Sequence, residues 1–187
     1  DPPGNQFFSE KVVKKEVFSF LGISERNLIG ILMPIYNADF LSFIFDFCER
    51  MDQEEVKNAF IIFGNPKTES QVESIFNKKS NSTQNLKNQN NLLKLNLKYS
   101  SLHFVPINTD AYSDILSCCD VGILLNGSKY GFDYTPELTE LIACKIPIIV
   151  GKGGCMTEVV ENGKNGFIFQ SKDQLFDILS QIFIEKT

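Results

Sequence analysis

Residues 136–150 read Pro-Glu-Leu-Thr-Glu-Leu-Ile-Ala-Cys-Lys-Ile-Pro-Ile-Ile-Val, and this stretch decides the fold. The segment Pro136 to Cys144 has the apolar spacing of a helix, with proline at a favourable first position. The segment Ile146 to Val150 is an apolar run, as expected of a strand buried on both faces. A helix that leads at once into such a strand is the repeating unit of a parallel α/β sheet.

The same alternation extends along the rest of the chain. Strands are predicted at 28–35, 59–63, 102–107, 121–125, 146–150 and 166–169, and helices at 10–21, 39–51, 68–76, 110–118, 136–144, 156–161 and 172–184. We therefore predict an α/β fold, a Rossmann-like doubly wound parallel six-stranded sheet with helices on both faces. Ligands of such sheets bind at the carboxyl ends of the strands. The candidate loops are those after Ile35, Phe63, Ile107, Leu125 and Val150.

The chain is predicted to form a single domain over residues 1–187, because its length suits one sizeable core. Residues 1–8 are predicted to be a linker. Residues 77–91 consist mainly of Asn, Lys, Ser and Gln, with almost nothing to bury, so we predict a disordered insertion there. A recognition loop is the alternative reading of that segment.

Composition and charge narrow the class of protein. The formal net charge is −5 and no basic cluster follows one face, which argues against nucleic acid as the main partner. No apolar run reaches the ~20 residues that span a bilayer. The five cysteines lack metal-ligand spacing and are expected to be free thiols that act as small apolar side chains: Cys48, Cys118, Cys119, Cys144 and Cys155. Such thiols favour a reducing compartment, and we expect a cytoplasmic location or the cytosolic face of a membrane.

The loop 126–135 carries the first candidate site. Thr135 is a candidate N-cap of the following helix, and Gly131 permits close approach of the backbone to a ligand. A helix N-terminus at the carboxyl edge of the sheet can bind a phosphate or diphosphate. Glu137 and Glu140 lie three residues apart on one helical face, where they could accept hydroxyl protons of a ribose or sugar. They could equally well complement the helix dipole only.

The loop 151–158 carries the second candidate site. Gly153 and Gly154 follow a buried strand and permit another close backbone approach. A tight strand-to-helix turn explains the same two glycines. Neither loop matches G-x-G-x-x-G or a P-loop, so each is a weak nucleotide fingerprint on its own.

Taken together, these segments resemble a known family. The segments 119–125, 131–132 and 136–150, with Gly153-Gly154, 158–160 and 162–167, resemble the donor-binding half of retaining GT-B glycosyltransferases of the group 1, family four kind. The strict resemblance covers about fifty residues. The opening Pro-Pro-Gly-Asn is similar to the linker between the two domains of that family.

The resemblance implies a nucleotide-diphosphate sugar, possibly a UDP-sugar, as ligand, with no metal or other cofactor. Glu140 takes the place of the glutamate that holds the ribose hydroxyls. Gly131, Phe132 and Asp133 fall where the family's loop meets the sugar and the diphosphate. Pro106 and Ile107 lie where the main chain borders the base. A helix N-terminus can also stabilise the charge of a departing diphosphate.

The chain departs from the family pattern at three points. The family's first glutamate is Tyr130 here, and the second glycine of its Gly-Phe-Gly is Asp133. The loop 34–40 contains no cation, whereas the family carries an Arg and a Lys there. Lys129 or Lys152 could replace that charge, although a solvated side chain is the alternative for each. The single histidine, His103, is interpreted as structural rather than catalytic.

The sequence therefore predicts the donor-binding domain of a retaining glycosyltransferase, which acts with an N-terminal acceptor domain on an unidentified acceptor. Alone, this domain is expected to transfer nothing, because the site forms between the two domains. The alternative is a non-catalytic interaction or regulatory module with a decayed diphosphate site. A weaker alternative is a sugar-nucleotide epimerase, which shares the architecture but needs acid and base groups that we do not find.

Overall fold

The computed structural model of the chain describes residues 14–24, 26–32, 38–79, 87–125, 135–153 and 156–183. The strands are β1 (Asn27–Leu32), β2 (Asn58–Gly64), β3 (Lys94–Asn96), β4 (Ser101–Pro106), β5 (Val121–Leu124), β6 (Ile148–Gly151) and β7 (Gly166–Phe169). The helices are α1 (Lys14–Leu21), α2 (Ala38–Gln53), α3 (Glu69–Lys79), α4 (Tyr112–Ser117), α5 (Pro136–Cys144), α6 (Met156–Val159) and α7 (Lys172–Phe183).

These strands form one sheet in the order β3-β4-β2-β1-β5-β6-β7. All neighbouring pairs are parallel except β3 and β4, which are antiparallel. The order reverses at β1, which lies between β2 and β5, so the crevice of a doubly wound sheet opens above that strand. The prediction of a doubly wound, mostly parallel sheet is confirmed.

The sheet has seven strands instead of the six predicted, because β3 was missed. This strand has three residues, and only Leu95 among them is buried. So short a segment shows neither a continuous apolar run nor a measurable alternation. The six predicted strands are all present, with shifted ends such as β6, which begins at Ile148 instead of Ile146.

Helices cover both faces of the sheet and create two separate cores. On one face α2, α3 and α7 pack against side chains such as Ile29 and Ile31 of β1. On the other face α1, α4, α5 and α6 pack against Leu28 and Leu32 of the same strand. Burial on both sides explains why this strand is apolar at nearly every position.

The segment predicted to be a disordered insertion, residues 77–91, is described only at its two ends, so the insertion stays a prediction. Residues 77–79 belong to α3, and residues 87–91 form a turn held by Asn88. The Asn88 side-chain amide donates to the carbonyls of Phe20 and Leu21 at 3.2 Å each. These bonds satisfy carbonyls at the end of α1, a role that composition does not reveal. Residues 80–86 lie outside the described residues.

Asp120 anchors the start of β5 to two other elements. Its Oδ2 accepts a hydrogen bond from the backbone N–H of Leu28 at 2.8 Å, and its Oδ1 pairs with Lys14 Nζ at 2.5 Å. The contact ties α1 and β1 to the strand that precedes the candidate loop 126–135. The order β1–β5 at the switch point is thus fixed by a specific polar contact as well as by burial.

Candidate functional site

The carboxyl edge of β2 and β4 forms the floor of the site. Gly64 pairs with Pro106 at the ends of these strands, and the N–H of Ile107 donates to the Gly64 carbonyl at 3.0 Å. A Cβ on Gly64 would lie 2.8 Å from Phe104 Cε2, so the position accepts no larger residue without a shift. The predicted border residues Pro106 and Ile107 thus lie at the expected edge, where Ile107 is 46% exposed.

An open cavity of about 350 Å³ follows β4 and is lined by residues 107–110 and 112–114. Two successive turns shape it, because Thr109 N–H donates to the Pro106 carbonyl and Tyr112 N–H donates to the Thr109 carbonyl, each at 2.9 Å. The exposed apolar side chain of Ile107 and several polar groups line the same space. Apart from Ile107 and Tyr112, the residues that line the cavity are small polar or acidic residues.

The N-terminus of α5 lies directly after the candidate loop 126–135. Thr135 is in the extended N-cap conformation and Pro136 follows at the first helical position, as predicted. The side chain of Thr135 makes no capping hydrogen bond, although the residue is only 8% exposed. Within the described part of the chain, two buried atoms here have no hydrogen-bond partner: Thr135 Oγ1 and Glu137 Oε2. Unsatisfied buried polar atoms are uncommon, and strain, a bound ligand or a water molecule can each account for one.

Glu140 lies one turn further along α5 and contacts α4. The phenolic O–H of Tyr112 donates to Glu140 Oε2 at 2.5 Å. Burial raises the pKa of Glu140, the hydrogen bond from Tyr112 lowers it, and the charge of Glu137 raises it, with a net rise. Burial and this hydrogen bond raise the pKa of Tyr112 far above its usual value. The proton therefore stays on the tyrosine, and the carboxylate is the acceptor.

The loop after β6 contains the second set of predicted residues. Gly153 has a φ of 156°, a conformation that favours glycine, and Lys152 is exposed at the end of the strand. The backbone N–H of Lys152 donates to the carbonyl of Phe169 at 2.7 Å, which fixes the loop against β7. Its side chain thus remains a candidate phosphate-binding cation at this edge.

The structure brings together only part of the predicted site. Pro106, Ile107, Thr135, Glu137 and Glu140 lie on α5 or at the end of β4, and Tyr112 connects the two groups. Lys129, Tyr130, Gly131, Phe132, Asp133 and Gly154 lie outside the described residues. Their predicted contacts with a sugar or diphosphate stay predictions.

Tyr112 is the member of the site that sequence reasoning missed. A tyrosine in the first turn of an amphipathic helix is normally interpreted as a core residue, and the ring of Tyr112 is indeed buried. The available signal was its phenolic O–H, because a buried tyrosine usually finds a polar partner. The partner is 28 residues away in sequence, on another helix, so it could not be named from spacing.

Other titratable groups lie away from this site. His103 is fully buried in β4 with Nε2 2.9 Å from Ser101 Oγ, and burial lowers its pKa to about 3. Cys48 and Cys119 are buried free thiols, and burial raises the pKa of both. Throughout the described ranges no three His, Cys, Asp or Glu side chains are grouped to hold a metal ion.

Comparisons with known proteins agree with this architecture. A search of family models finds no match to the chain. The chain is 32% identical over 99 residues to the chitobiosyldiphosphodolichol beta-mannosyltransferase of Dictyostelium discoideum. The match covers 53% of this chain and 20% of that protein, so the chain spans about a fifth of the length of this relative.

Two solved structures share the fold at low identity. Anabaena HepE in complex with UDP and glucose superimposes with a TM-score of 0.66 at 15% identity, covering 95% of this chain and 44% of that one. The C-terminal domain of the group 1 glycosyltransferase LpcC from Francisella tularensis gives 0.62 at 14% identity, covering 96% and 86%. No helix in the described segments is both long and apolar enough to cross a membrane.

Proposed function

Because the chain has the fold of the C-terminal domain of group 1 GT-B glycosyltransferases, we propose that it binds the nucleotide-diphosphate sugar of such an enzyme. The observation that carries the proposal is the pair of carboxylates on α5 at the carboxyl edge of the sheet. One of them, Glu137, has a buried oxygen without a hydrogen-bond partner among the described residues. A ligand hydroxyl would satisfy that oxygen.

Each described residue has a role in this proposal. Glu140 accepts the hydroxyl protons of the ribose, since a carboxylate can accept more than one hydrogen bond. Thr135 donates or accepts, and Glu137 accepts, at hydroxyls nearer the helix N-terminus, whose dipole favours the diphosphate. Pro106 and Ile107 border the base beside the cavity after β4. Lys152 supplies a cation for the phosphates.

We base the proposed sugar and acceptor on the name of one relative that matches the sequence. Its name specifies a mannosyl group and a lipid-linked chitobiosyl diphosphate, so we propose mannosyl transfer from a GDP- or UDP-sugar to an acceptor of that class. The resemblance to retaining enzymes predicts retention at the anomeric carbon, whereas the name of this relative specifies a beta-mannosyl product, which an α-linked donor gives by inversion. The one-bond carbon–hydrogen coupling of the product's anomeric centre tests this. An α-product from an α-linked donor supports retention, and a β-product shows inversion.

The proposed reaction requires a second domain that binds the acceptor. The HepE chain is more than twice as long as the part that this chain covers, which supports a two-domain arrangement. A lipid-linked acceptor would bring the full-length protein to a membrane surface at its cytosolic face. Substrate would then be bound between the two domains, and this chain alone would transfer nothing.

Calorimetric titration of the chain with UDP-, GDP- and ADP-sugars, with and without magnesium, tests donor binding. We expect weak, saturable binding of one nucleotide class. The Glu140→Gln variant should weaken it about tenfold, the effect of losing one charge-assisted hydrogen bond of about 1.4 kcal/mol. The matched control is Glu54→Gln, an exposed glutamate beyond the end of α2. No binding at millimolar ligand would refute the proposal.

Transfer in the full-length protein separates the enzyme from the non-catalytic module. Glu140→Ala should abolish transfer while circular dichroism and the unfolding midpoint stay close to those of the parent. Unchanged cellular function with Glu140→Ala would instead favour the module. The mannosyltransferase name of the matching relative supports the enzyme.

A further inference from the structure

We propose that Tyr112 is a positioning residue that holds Glu140 in the orientation required to bind the donor's ribose. This inference rests on the proposed donor-binding function. It adds a residue outside the resemblance, because Tyr112 lies on α4 and acts on the ribose through Glu140.

Packing holds the ring of Tyr112 in place independently of its hydrogen bond to Glu140. It stands edge-on to Phe63 of β2, with centroids 5.2 Å apart and planes at 84°. The residue is only 9% exposed, and its backbone N–H donates to the carbonyl of Thr109. A buried ring in an edge-to-face contact has few alternative rotamers. The hydroxyl is therefore delivered to Glu140 by a rigid support.

The hydrogen bond from Tyr112 occupies one of the two carboxylate oxygens of Glu140. Tyr112 engages Oε2 at 2.5 Å, and among the described residues no hydrogen bond to Oε1 accompanies it, so we assign Oε1 to the ligand. A side chain held at one oxygen loses its rotamer freedom before the ligand arrives, so less entropy is lost on binding. Positioning groups of this kind are the usual support of a preorganised site.

The same contact favours the charged form of Glu140. The titratable groups that face this carboxylate are Tyr112 on α4 and, on α5, Glu137 and Cys144. Burial and the charge of Glu137 favour the protonated acid, whereas the hydrogen bond from Tyr112 favours the carboxylate. Removing the phenolic hydroxyl therefore removes the one contribution of the three that keeps the acceptor ionised.

Tyr112 also lines the cavity after β4, so one residue touches both parts of the site. A base in that cavity would pack near the tyrosine while the attached ribose reaches Glu140.

The decisive variant is Tyr112→Phe, which keeps the buried ring and removes only the hydroxyl. In protein labelled with ¹³C-glutamate, with the Glu140 signal assigned from Glu140→Gln, we expect the titration midpoint of Glu140 to rise by about one pH unit. The Kd of the donor at pH 7 should rise about tenfold. The pH below which donor binding is lost should rise by about one unit, as the Glu140 midpoint does.

A matched control is available in the same chain. The hydroxyl of Tyr99 donates to Glu55 Oε1 at 2.9 Å on an exposed surface, so Tyr99→Phe makes the same chemical change away from the site. It should leave donor binding unchanged. In a Glu140→Gln background, Tyr112→Phe should have little additional effect on Kd, since the two residues act as a unit.

Failure of this inference is distinguishable from failure of the proposed function. If the parent protein binds donor but Tyr112→Phe changes neither the Glu140 midpoint nor the pH profile, the positioning role is wrong and donor binding stands. If the parent binds no donor, the proposed function fails, together with the inference about the ribose. A Kd that rises equally at every pH would show a merely structural role and would also overturn the inference.

Discussion

Replacing Gly122 with alanine tests how α5 is seated on the sheet. Gly122 lies in β5 and pairs with Gly30 of β1 and Ile148 of β6. A Cβ at this position would lie 2.3 Å from Leu141 Cδ2 and 3.3 Å from Ile146 Cδ1. Carbon atoms in contact are ordinarily about 3.5–4.0 Å apart. The side chain of Leu141 would therefore have to retreat by more than about 1 Å.

The expected loss of stability follows from that displacement. Leu141 is fully buried, and Ile146 restricts one direction of its retreat, so the added methyl overpacks a closed space. Overpacking costs about 1–3 kcal/mol, and the lower backbone entropy of alanine offsets under about 1 kcal/mol of it. We expect Gly122→Ala to lower the free energy of unfolding by about 2 kcal/mol. Because Glu140 adjoins Leu141 on α5, donor binding should weaken as well.

Urea denaturation followed by circular dichroism measures the change, with an unchanged m-value as evidence that the native state stays compact. In the double variant with Leu141→Ala, the loss of stability should be smaller than the sum of the two single losses by at least about 1 kcal/mol, because the second change makes room for the first. The control is Gly163→Ala, where no atom lies within 4 Å of the new Cβ and only the φ of +78° opposes it. Full stability of Gly122→Ala, or strictly additive losses, would refute the reasoning.

Two further predictions concern stability away from the site. The pKa of His103 is lowered to about 3 by burial, then by Lys94 and Arg26. The stability contributed by the neutral imidazole is therefore fully present above pH 6.5 and is lost as the pH falls toward 3. The free energy of unfolding of the parent should therefore fall by up to about 1.4 kcal/mol per pH unit as the pH is lowered from 7 to 4, and His103→Gln should lack this part of the slope. Denaturation over that pH range measures both slopes, and equal slopes would contradict the prediction. Asp52 accepts N–H bonds from residues 98–100 at 3.1, 2.9 and 2.6 Å. Asp52→Ala should therefore cost about 2–3 kcal/mol in urea, more than Asp52→Asn, which retains an acceptor oxygen.

The sequence was sufficient for most of the fold because burial on both faces leaves a strong pattern. A run such as Leu28 to Leu32 has almost no polar position, and it became β1 as predicted. Helix α5 begins at Pro136, as its proline indicated. The short strand β3 gave no such pattern. It forms because the turn between β3 and β4 is held by Asp52 of α2, a contact that the local sequence does not reveal.

The site was predictable only in the elements that carry it. The position of Glu140 on α5 followed from helical spacing and the resemblance to a known family. Its contact with Tyr112 did not, because α4 and α5 are brought together only by packing on the same face of the sheet. Asn88 shows the same limit, since its role depends on the carbonyls of Phe20 and Leu21, far away in sequence.

The antiparallel strand β3 has a consequence for how this protein behaves at high concentration. Without it, β4 would expose a six-residue row of backbone N–H and C=O groups to which a strand of another molecule could add. With it, residues 101–103 of β4 are paired, and the added strand carries Lys94, whose Nζ donates to the Gly22 carbonyl at 2.9 Å. A short edge with a charged side chain offers little to an incoming chain. The smallest strand of the sheet thereby limits the addition of a strand from another molecule at this edge.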